Sequence, residues 1–210
     1  MISLFLDTSS SYFCACIVKN QFVLKSIYVY LEKDMSKYAL VKVKEMMDEL
    51  NLKPNDVDEI IVVNGPGSYT GLRVGVTIAK TYAWGLSKKL AKISSLYVMA
   101  TSVKDSSYSY IVPVIDARRG FVFAGIYDKN YNIVMQDSYI SIEKLQEFVS
   151  KLDGKCIYIS REDVKNLDTI NYNPDLENLF NNLKIDYVEP HLLVPNYLKK
   201  TEAEENLNCD

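Results

Sequence analysis

The stretch that decides the fold is N-G-P-G-S-Y-T-G-L-R-V-G-V-T-I-A-K-T-Y-A-W-G-L, residues 64–86. It follows the apolar run I-I-V-V at residues 60–63, which is too short for a helix and rich in β-branched side chains, so it predicts a buried strand. Gly65-Pro66-Gly67 then turns the chain sharply, and Ser68 or Thr70 can cap the helix that follows. The predicted unit is a strand, a glycine turn and a helix.

One side of this helix carries only small residues. They recur every four positions and therefore share a face: Gly71, Gly75, Ala79 and Ala83. A glycine inside a helix costs about 1 kcal/mol relative to alanine, so this stripe predicts the close approach of another backbone. From spacing alone, packing against the chain's own sheet or first helix is favoured over contact with a partner subunit.

Length and composition limit the class of protein. The 210 residues can bury a real core as one large domain or two small ones, and the net charge of −3 gives no general attraction to nucleic acid. We find neither an apolar run of membrane-spanning length nor a signal-peptide pattern, so a cytoplasmic protein without membrane attachment is predicted. The four cysteines form no C-x-x-C pair, which favours reduced thiols over a zinc or redox site.

The order of elements indicates an α/β protein. A three-strand meander over residues 2–31, a helix over 36–50, the buried strand and the central helix give the order β-β-β-α-β-α. The rest is a smaller, less regular unit that is rich in strands. We therefore predict an N-terminal lobe over residues 1–104, a C-terminal lobe over 105–200 and a frayed acidic tail over 201–210.

Several polar or glycine positions are candidate contacts for an anion or a nucleotide. The first strand ends in an acidic and hydroxyl turn, which suits a phosphate or Mg²⁺ contact and equally a turn that bonds its own backbone. The glycine turn opens a helix, as anion sites do, but it matches neither common phosphate-binding pattern. The candidates are Asp7, Thr8, Gly65, Gly67, Ser68, Arg118 and Arg119.

Arginine and histidine are scarce in this chain. Of the four arginines, Arg73, Arg118 and Arg119 fall within the two most structured motifs, which favours specific contacts through the rigid guanidinium fork. Arg161 has no such context, and a surface arginine without a role remains open for it. His191 is the single histidine, so a two-histidine metal site is excluded within the chain. We predict no catalytic residue and no metal site.

Four segments, in the right order from residue 2 to residue 199, resemble the bacterial TsaB (YeaZ) family of tRNA threonylcarbamoyladenosine biosynthesis proteins. The central stretch is similar to the family's G-P-G-S-F-T-G-L-R-I-G, with Tyr69 in place of phenylalanine. I-S-L-F-L-D-T-S at residues 2–9 is similar to its first strand and turn. D-A-R-R-G-F-V-F-A at 116–124 resembles D-A-R-R-G-E-V-Y-A, and P-N-Y-L-K at 195–199 resembles P-x-Y-L-R.

The resemblance implies an actin/hexokinase/Hsp70-like (ribonuclease H-like) fold with two lobes. It also implies a role in forming N6-threonylcarbamoyladenosine at position 37 of tRNAs that read ANN codons. In that pathway TsaD carries the metal and transfers the threonylcarbamoyl group, TsaB is its non-catalytic partner, and TsaE is the associated ATPase. By this resemblance the chain is not an enzyme. It pairs with TsaD, or with itself when alone, and meets tRNA only through the complex. It has no cofactor of its own, while ATP or ADP at the complex interface remains open.

The resemblance also changes the expected role of the small-residue stripe, because family members pair through their two N-terminal helices. It implies a partner interface formed by Leu40, Val43, Met47, Leu72, Arg73, Gly75, Val76, Ala79 and Ala83. Two other readings compete with a partner subunit. A sugar-kinase-like or ATPase enzyme would need an Asp-x-Gly type loop, where this chain has Ala117-Arg118-Arg119 after Asp116. A protein that binds tRNA by itself conflicts with the acidic charge.

Overall fold

The first half of the chain forms the predicted β-β-β-α-β-α unit. The structure is a computed structural model that describes residues 1–199; Cys209 and the predicted acidic tail lie outside the described residues. The elements of the first half are β1 (Ile2–Asp7), β2 (Tyr12–Lys19), β3 (Phe22–Tyr30), α1 (Met35–Glu49), β4 (Glu59–Gly65), α2 (Tyr69–Gly85), β5 (Lys89–Ser94) and α3 (Ser95–Ala100).

The second half repeats the same order of elements on a smaller scale. Three antiparallel strands are followed by a helix and a strand that lies parallel to the first of the three. The elements are β6 (Tyr110–Asp116), β7 (Phe121–Asp128), β8 (Ile133–Ser141), α4 (Ile142–Ser150), β9 (Cys156–Ser160), β10 (Thr169–Asn171), α5 (Leu176–Asn181) and β11 (Asp186–Tyr187). The short strands β10 and β11 were not predicted.

Two sheets organise these elements. The first has the order β11-β5-β4-β1-β2-β3 and the second β10-β9-β6-β7-β8. In the first sheet β1 pairs antiparallel with β2 and parallel with β4, and β4 pairs parallel with β5. This arrangement confirms the predicted two-lobe α/β architecture.

Both faces of the first sheet are covered, which explains why β4 is an unbroken apolar run. One face packs against α1 and α2, with Leu4, Leu6, Ile60 and Val62 in that core. The other face packs against α3, α5 and strands of the second sheet, with Phe5 among its contacts. A third cluster fills the space between the second sheet and α4.

The end of the described chain returns to the first sheet. β11 pairs with β5, and residues 188–197, here called the strap, make a turn at 190–192 and then run along α2. The division at residue 104 stays a prediction, and β11 belongs to the sheet of the N-terminal half. Among the described helices, none combines the length and apolar character needed to cross a membrane.

Candidate functional site at the junction of the two sheets

The small-residue face of α2 lies directly on the end of β1. A Cβ atom added at Gly71 would come 2.0 Å from the Thr8 carbonyl oxygen, and one at Gly75 would come 2.3 Å from Thr8 Oγ1. The Thr8 hydroxyl also donates a hydrogen bond of 2.7 Å to the Gly71 carbonyl oxygen. The close approach that the glycines predict is therefore made by the chain's own β1 turn, as spacing alone favoured.

This packing corrects most of the partner interface expected from the family resemblance. A residue without accessible surface in the isolated chain cannot form a contact surface. Of the nine expected residues, only Leu40 and Arg73 are exposed. The other seven are buried within the chain: Val43, Met47, Leu72, Gly75, Val76, Ala79 and Ala83.

The glycine turn is shaped by contacts within the chain. Gly65 has φ +127° and its added Cβ would lie 2.8 Å from the Asn196 carbonyl oxygen in the strap. Gly67 has φ +156° and would clash with the Ser9 carbonyl oxygen at 2.3 Å. Ser68 caps α2 by accepting a hydrogen bond from the Gly71 N–H. A structural reason thus accounts for each of the three turn residues that were candidate anion contacts.

Asp7 is engaged by a residue from the second half of the chain. Its carboxylate is 3% exposed, and Arg161 Nη2 donates to its Oδ2 at 2.7 Å. Its Oδ1 accepts hydrogen bonds from the Ser9 N–H at 2.8 Å and the Ser9 hydroxyl at 2.6 Å. The predicted anion or Mg²⁺ contact at Asp7 is therefore occupied by the chain's own guanidinium and hydroxyl groups.

Arg161 directly follows β9 and is itself largely enclosed. A second nitrogen, Nη1, donates to the Ser9 hydroxyl at 2.9 Å, and the guanidinium lies 5.1 Å from the centre of the Tyr172 ring. Burial disfavours the charged form, but the Asp7 carboxylate and neighbouring tyrosines raise the pKa of Arg161 above its ordinary value. The sequence analysis did not assign a contact to Arg161, because no local motif surrounds this residue.

The three cysteines among residues 1–199 have surroundings that disfavour the reactive thiolate form. Cys14 and Cys16 are free and buried, and Cys156 is free and partly buried. Burial first, and then the charge of Asp7, raises the pKa of Cys14 well above its ordinary value. A thiol held in its protonated form is a poor nucleophile. The expectation that the cysteines are reduced stays a prediction.

The turn between β6 and β7 does not join the Asp7 site. Asp116 accepts a hydrogen bond from the Arg118 N–H at 2.9 Å, which makes an Asx-type turn. Arg118 and Arg119 are both exposed with φ of +67° and +55°. Within residues 1–199 neither side chain forms an ion pair. Their predicted anion contact stays a prediction.

A surface with many apolar side chains follows α2 and the strap. Lys80 donates to the Leu193 carbonyl oxygen at 2.9 Å, and Arg73 Nε donates to the Tyr197 hydroxyl at 3.1 Å, so the strap lies antiparallel to the helix. Leu193 is buried, whereas its two neighbours point outward. We define the α2 ridge as the exposed residues Tyr69, Trp84, Leu192, Val194 and Tyr197.

Comparison with known proteins identifies the family. The profile described as TsaD, tRNA N6-adenosine threonylcarbamoyltransferase, matches residues 31–162, which is more than half of the chain. A protein of Bacillus subtilis named tRNA threonylcarbamoyladenosine biosynthesis protein TsaB is 29% identical over 97% of this chain and 96% of its own length. The chain belongs to the TsaB (YeaZ) branch of the TsaD family.

Other TsaB proteins and solved structures agree with this placement. The Escherichia coli TsaB is 22% identical over 73% of this chain and 68% of its own. The solved YeaZ of Pseudomonas aeruginosa superposes with a TM-score of 0.71 at 19% identity, over 94% of this chain and 99% of that one. At 19% identity, this superposition shows that the two proteins share a fold.

Proposed function

We propose that this chain acts in the biosynthesis of tRNA threonylcarbamoyladenosine as a non-catalytic subunit that pairs with a TsaD-type transferase. The observation that carries the proposal is the match to the B. subtilis TsaB over nearly the full length of both chains. The related proteins are named for this pathway, and the chain has the fold of a solved YeaZ protein.

The chemistry of the residues favours a partner over a catalyst. The family's transferases use an H-x-x-x-H metal motif, and this chain has one histidine. The carboxylate that ends β1 already accepts three hydrogen bonds from Ser9 and Arg161, so it has little capacity left for a metal-bound phosphate. In our proposal the partner subunit therefore supplies the reacting groups, and any ATP or ADP lies at the interface between subunits.

The α2 ridge is the surface that we propose for pairing. Trp84 is 66% exposed, Leu192 71% and Val194 63%, and large apolar side chains gathered on a surface are typical of protein contacts. Leu40 and Val41 add exposed apolar area on α1. In our proposal a TsaD-type subunit covers this surface, and a second copy of the chain covers it when TsaD is absent. TsaE and tRNA are reached through the complex.

Co-purification with the organism's TsaD, followed by a tRNA modification assay, tests the proposal. We expect a stable complex and threonylcarbamoyladenosine formation that requires both proteins and TsaE. Modification that proceeds equally well without this chain would contradict the subunit role. The competing reading as an enzyme is tested by nucleotide turnover with the purified chain alone, where we expect no turnover above the background rate.

A further inference from the structure

A cavity of about 610 Å³ lies where the edges of the two sheets face each other. The ends of β4 and β5 and the strand β11 line one side, β8 lines the other, and the strap covers it. Protein cavities that hold small ligands have volumes of roughly 300–1,000 Å³. This space shares Leu192 and Val194 with the α2 ridge, and it is separate from the Asp7–Arg161 ion pair.

The polar centre of the cavity is the Asp137 carboxylate. Tyr127 donates its hydroxyl proton to Asp137 Oδ1 at 2.8 Å, and the Ser94 hydroxyl donates to Oδ2. Ser94 ends β5 in the first sheet, whereas Tyr127 and Asp137 belong to the second. Burial is the largest influence on Asp137 and raises its pKa, and the hydrogen bonds from the two neutral hydroxyls offset only part of this increase.

A β-bulge directs this carboxylate into the cavity. Ala124 pairs with Ser138 and Ile126 pairs with Met135, so Gly125 alone faces two residues, Gln136 and Asp137. A Cβ atom at Gly125 would lie 2.8 Å from Asp137 Oδ1, which means that a side chain there would displace the carboxylate. Bulges of this kind re-aim side chains and are frequent beside functional sites.

The charge of Asp137 lacks a cationic partner among the described residues. The two lysines that line the cavity are held elsewhere. Lys92 pairs with Asp186 at 3.1 Å, and Lys184 donates to the Tyr131 carbonyl oxygen and to Asn132 Oδ1, each at 2.9 Å. Much of the remaining wall is apolar, including Ile93, Ile133, Ile185 and Pro195.

We propose that this cavity binds a small molecule with a compact apolar body and one cationic nitrogen group, an amine or an amidine, which donates hydrogen bonds to Asp137. A partly buried carboxylate that has only neutral donors gains from a charge-assisted hydrogen bond, which is stronger than a bond between neutral groups. The apolar wall suits the body of such a ligand. The proposal is independent of the subunit role, because it concerns the isolated chain.

Benzamidine is a suitable probe, and benzoate, which has the same ring with the opposite charge, is its control. We expect ligand-observed NMR to show that benzamidine binds the purified chain weakly. Protein-observed NMR should then show chemical-shift changes at Ser94, Tyr127 and Asp137. Benzoate should not bind there. The Asp137→Asn change should weaken benzamidine binding by about tenfold or more, the range for hydrogen bonds to a charged group.

Two further variants separate the site from general effects on the fold. Asp153→Asn removes an exposed carboxylate outside the cavity and should leave benzamidine affinity within about twofold, because an exposed charge at a distance contributes little. Gly125→Ala should weaken binding by displacing the carboxylate. Three results with the wild-type chain would overturn the proposal: no binding of benzamidine, equal binding of benzoate, or chemical-shift changes away from the cavity. These results do not depend on whether Asp137→Asn folds.

Discussion

Arg161 donates a hydrogen bond of 2.7 Å to the carboxylate of Asp7, and this ion pair joins the end of β9 in the second sheet to the end of β1 in the first. The Arg161 side chain is 12% exposed and that of Asp7 is 3% exposed. The pair therefore acts as an internal tie between the two sheets, at a position where the sequence suggested an anion or Mg²⁺ contact.

Removing one partner of this pair should cost much of the stability of the chain. Arg161→Ala leaves Asp7 buried with an unpaired charge, and such a change typically lowers the free energy of unfolding by about 3–5 kcal/mol. Urea denaturation followed by circular dichroism measures the change. Arg119→Ala, an exposed arginine on a turn, is the control and should change stability by about 0.5 kcal/mol or less. A loss of under about 1 kcal/mol for Arg161→Ala would contradict the tie.

Gly75→Ala should destabilise the folded chain, because the new methyl group would lie 2.3 Å from Thr8 Oγ1. Overpacking of this kind costs about 1–3 kcal/mol. The Thr8→Ala background removes the clashing hydroxyl, so the cost of Gly75→Ala should be smaller there. A double-mutant cycle by thermal or urea unfolding measures this coupling. Equal costs in both backgrounds would show that Thr8 is not the reason for the glycine.

Trp84→Ser should weaken pairing while leaving the monomer folded. The indole is largely exposed, so its removal should change the free energy of unfolding by about 0.5 kcal/mol or less. Loss of a tryptophan at the centre of a protein interface often costs about 2 kcal/mol or more in binding, which isothermal titration calorimetry with the TsaD-type partner can measure. Ile170→Ser, an exposed apolar residue on β10, is the control. Full affinity in the Trp84 variant would exclude the α2 ridge as the interface.

The raised pKa of Asp137 predicts a pH dependence of stability. The folded state binds a proton at this carboxylate more readily than the unfolded state does, so the contribution of Asp137 to stability is present at low pH and decreases as pH rises through its folded-state pKa. Asp137→Asn cannot titrate. The stability of the wild type relative to this variant should therefore fall between acidic and neutral pH, measured by urea unfolding across that range. A constant or rising difference would contradict the prediction.

The sequence predicted the elements that local patterns determine. The apolar run of β4, the glycine turn and the small-residue face of α2 each carry their own signal, and the spacing argument correctly placed that face against the chain's own sheet. The family resemblance then led to a wrong expectation for the buried residues of that face, such as Gly75 and Ala79. Pairing through a helix does not require its innermost side, and a resemblance to a family does not show which side of the helix remains exposed in this chain.

Long-range partners were not predictable from one sequence. Arg161 and Asp7 are 154 residues apart, and neither position carries a motif that names the other. The position of Asp137 depends on a one-residue change of register between β7 and β8, and strand register is set by pairing rather than by composition. Both features require the tertiary arrangement before their chemistry can be recognised.

The return of β11 and the strap to the first sheet has a consequence for biosynthesis on the ribosome. Residues 186–196 supply the strand beside β5 and the Asn196 carbonyl oxygen that lies against Gly65. Domains generally fold as units during translation. The first sheet is therefore complete only after residues 186–196, which follow all the strands of the second sheet, have left the ribosomal exit tunnel, so the two sheets mature together rather than one after the other.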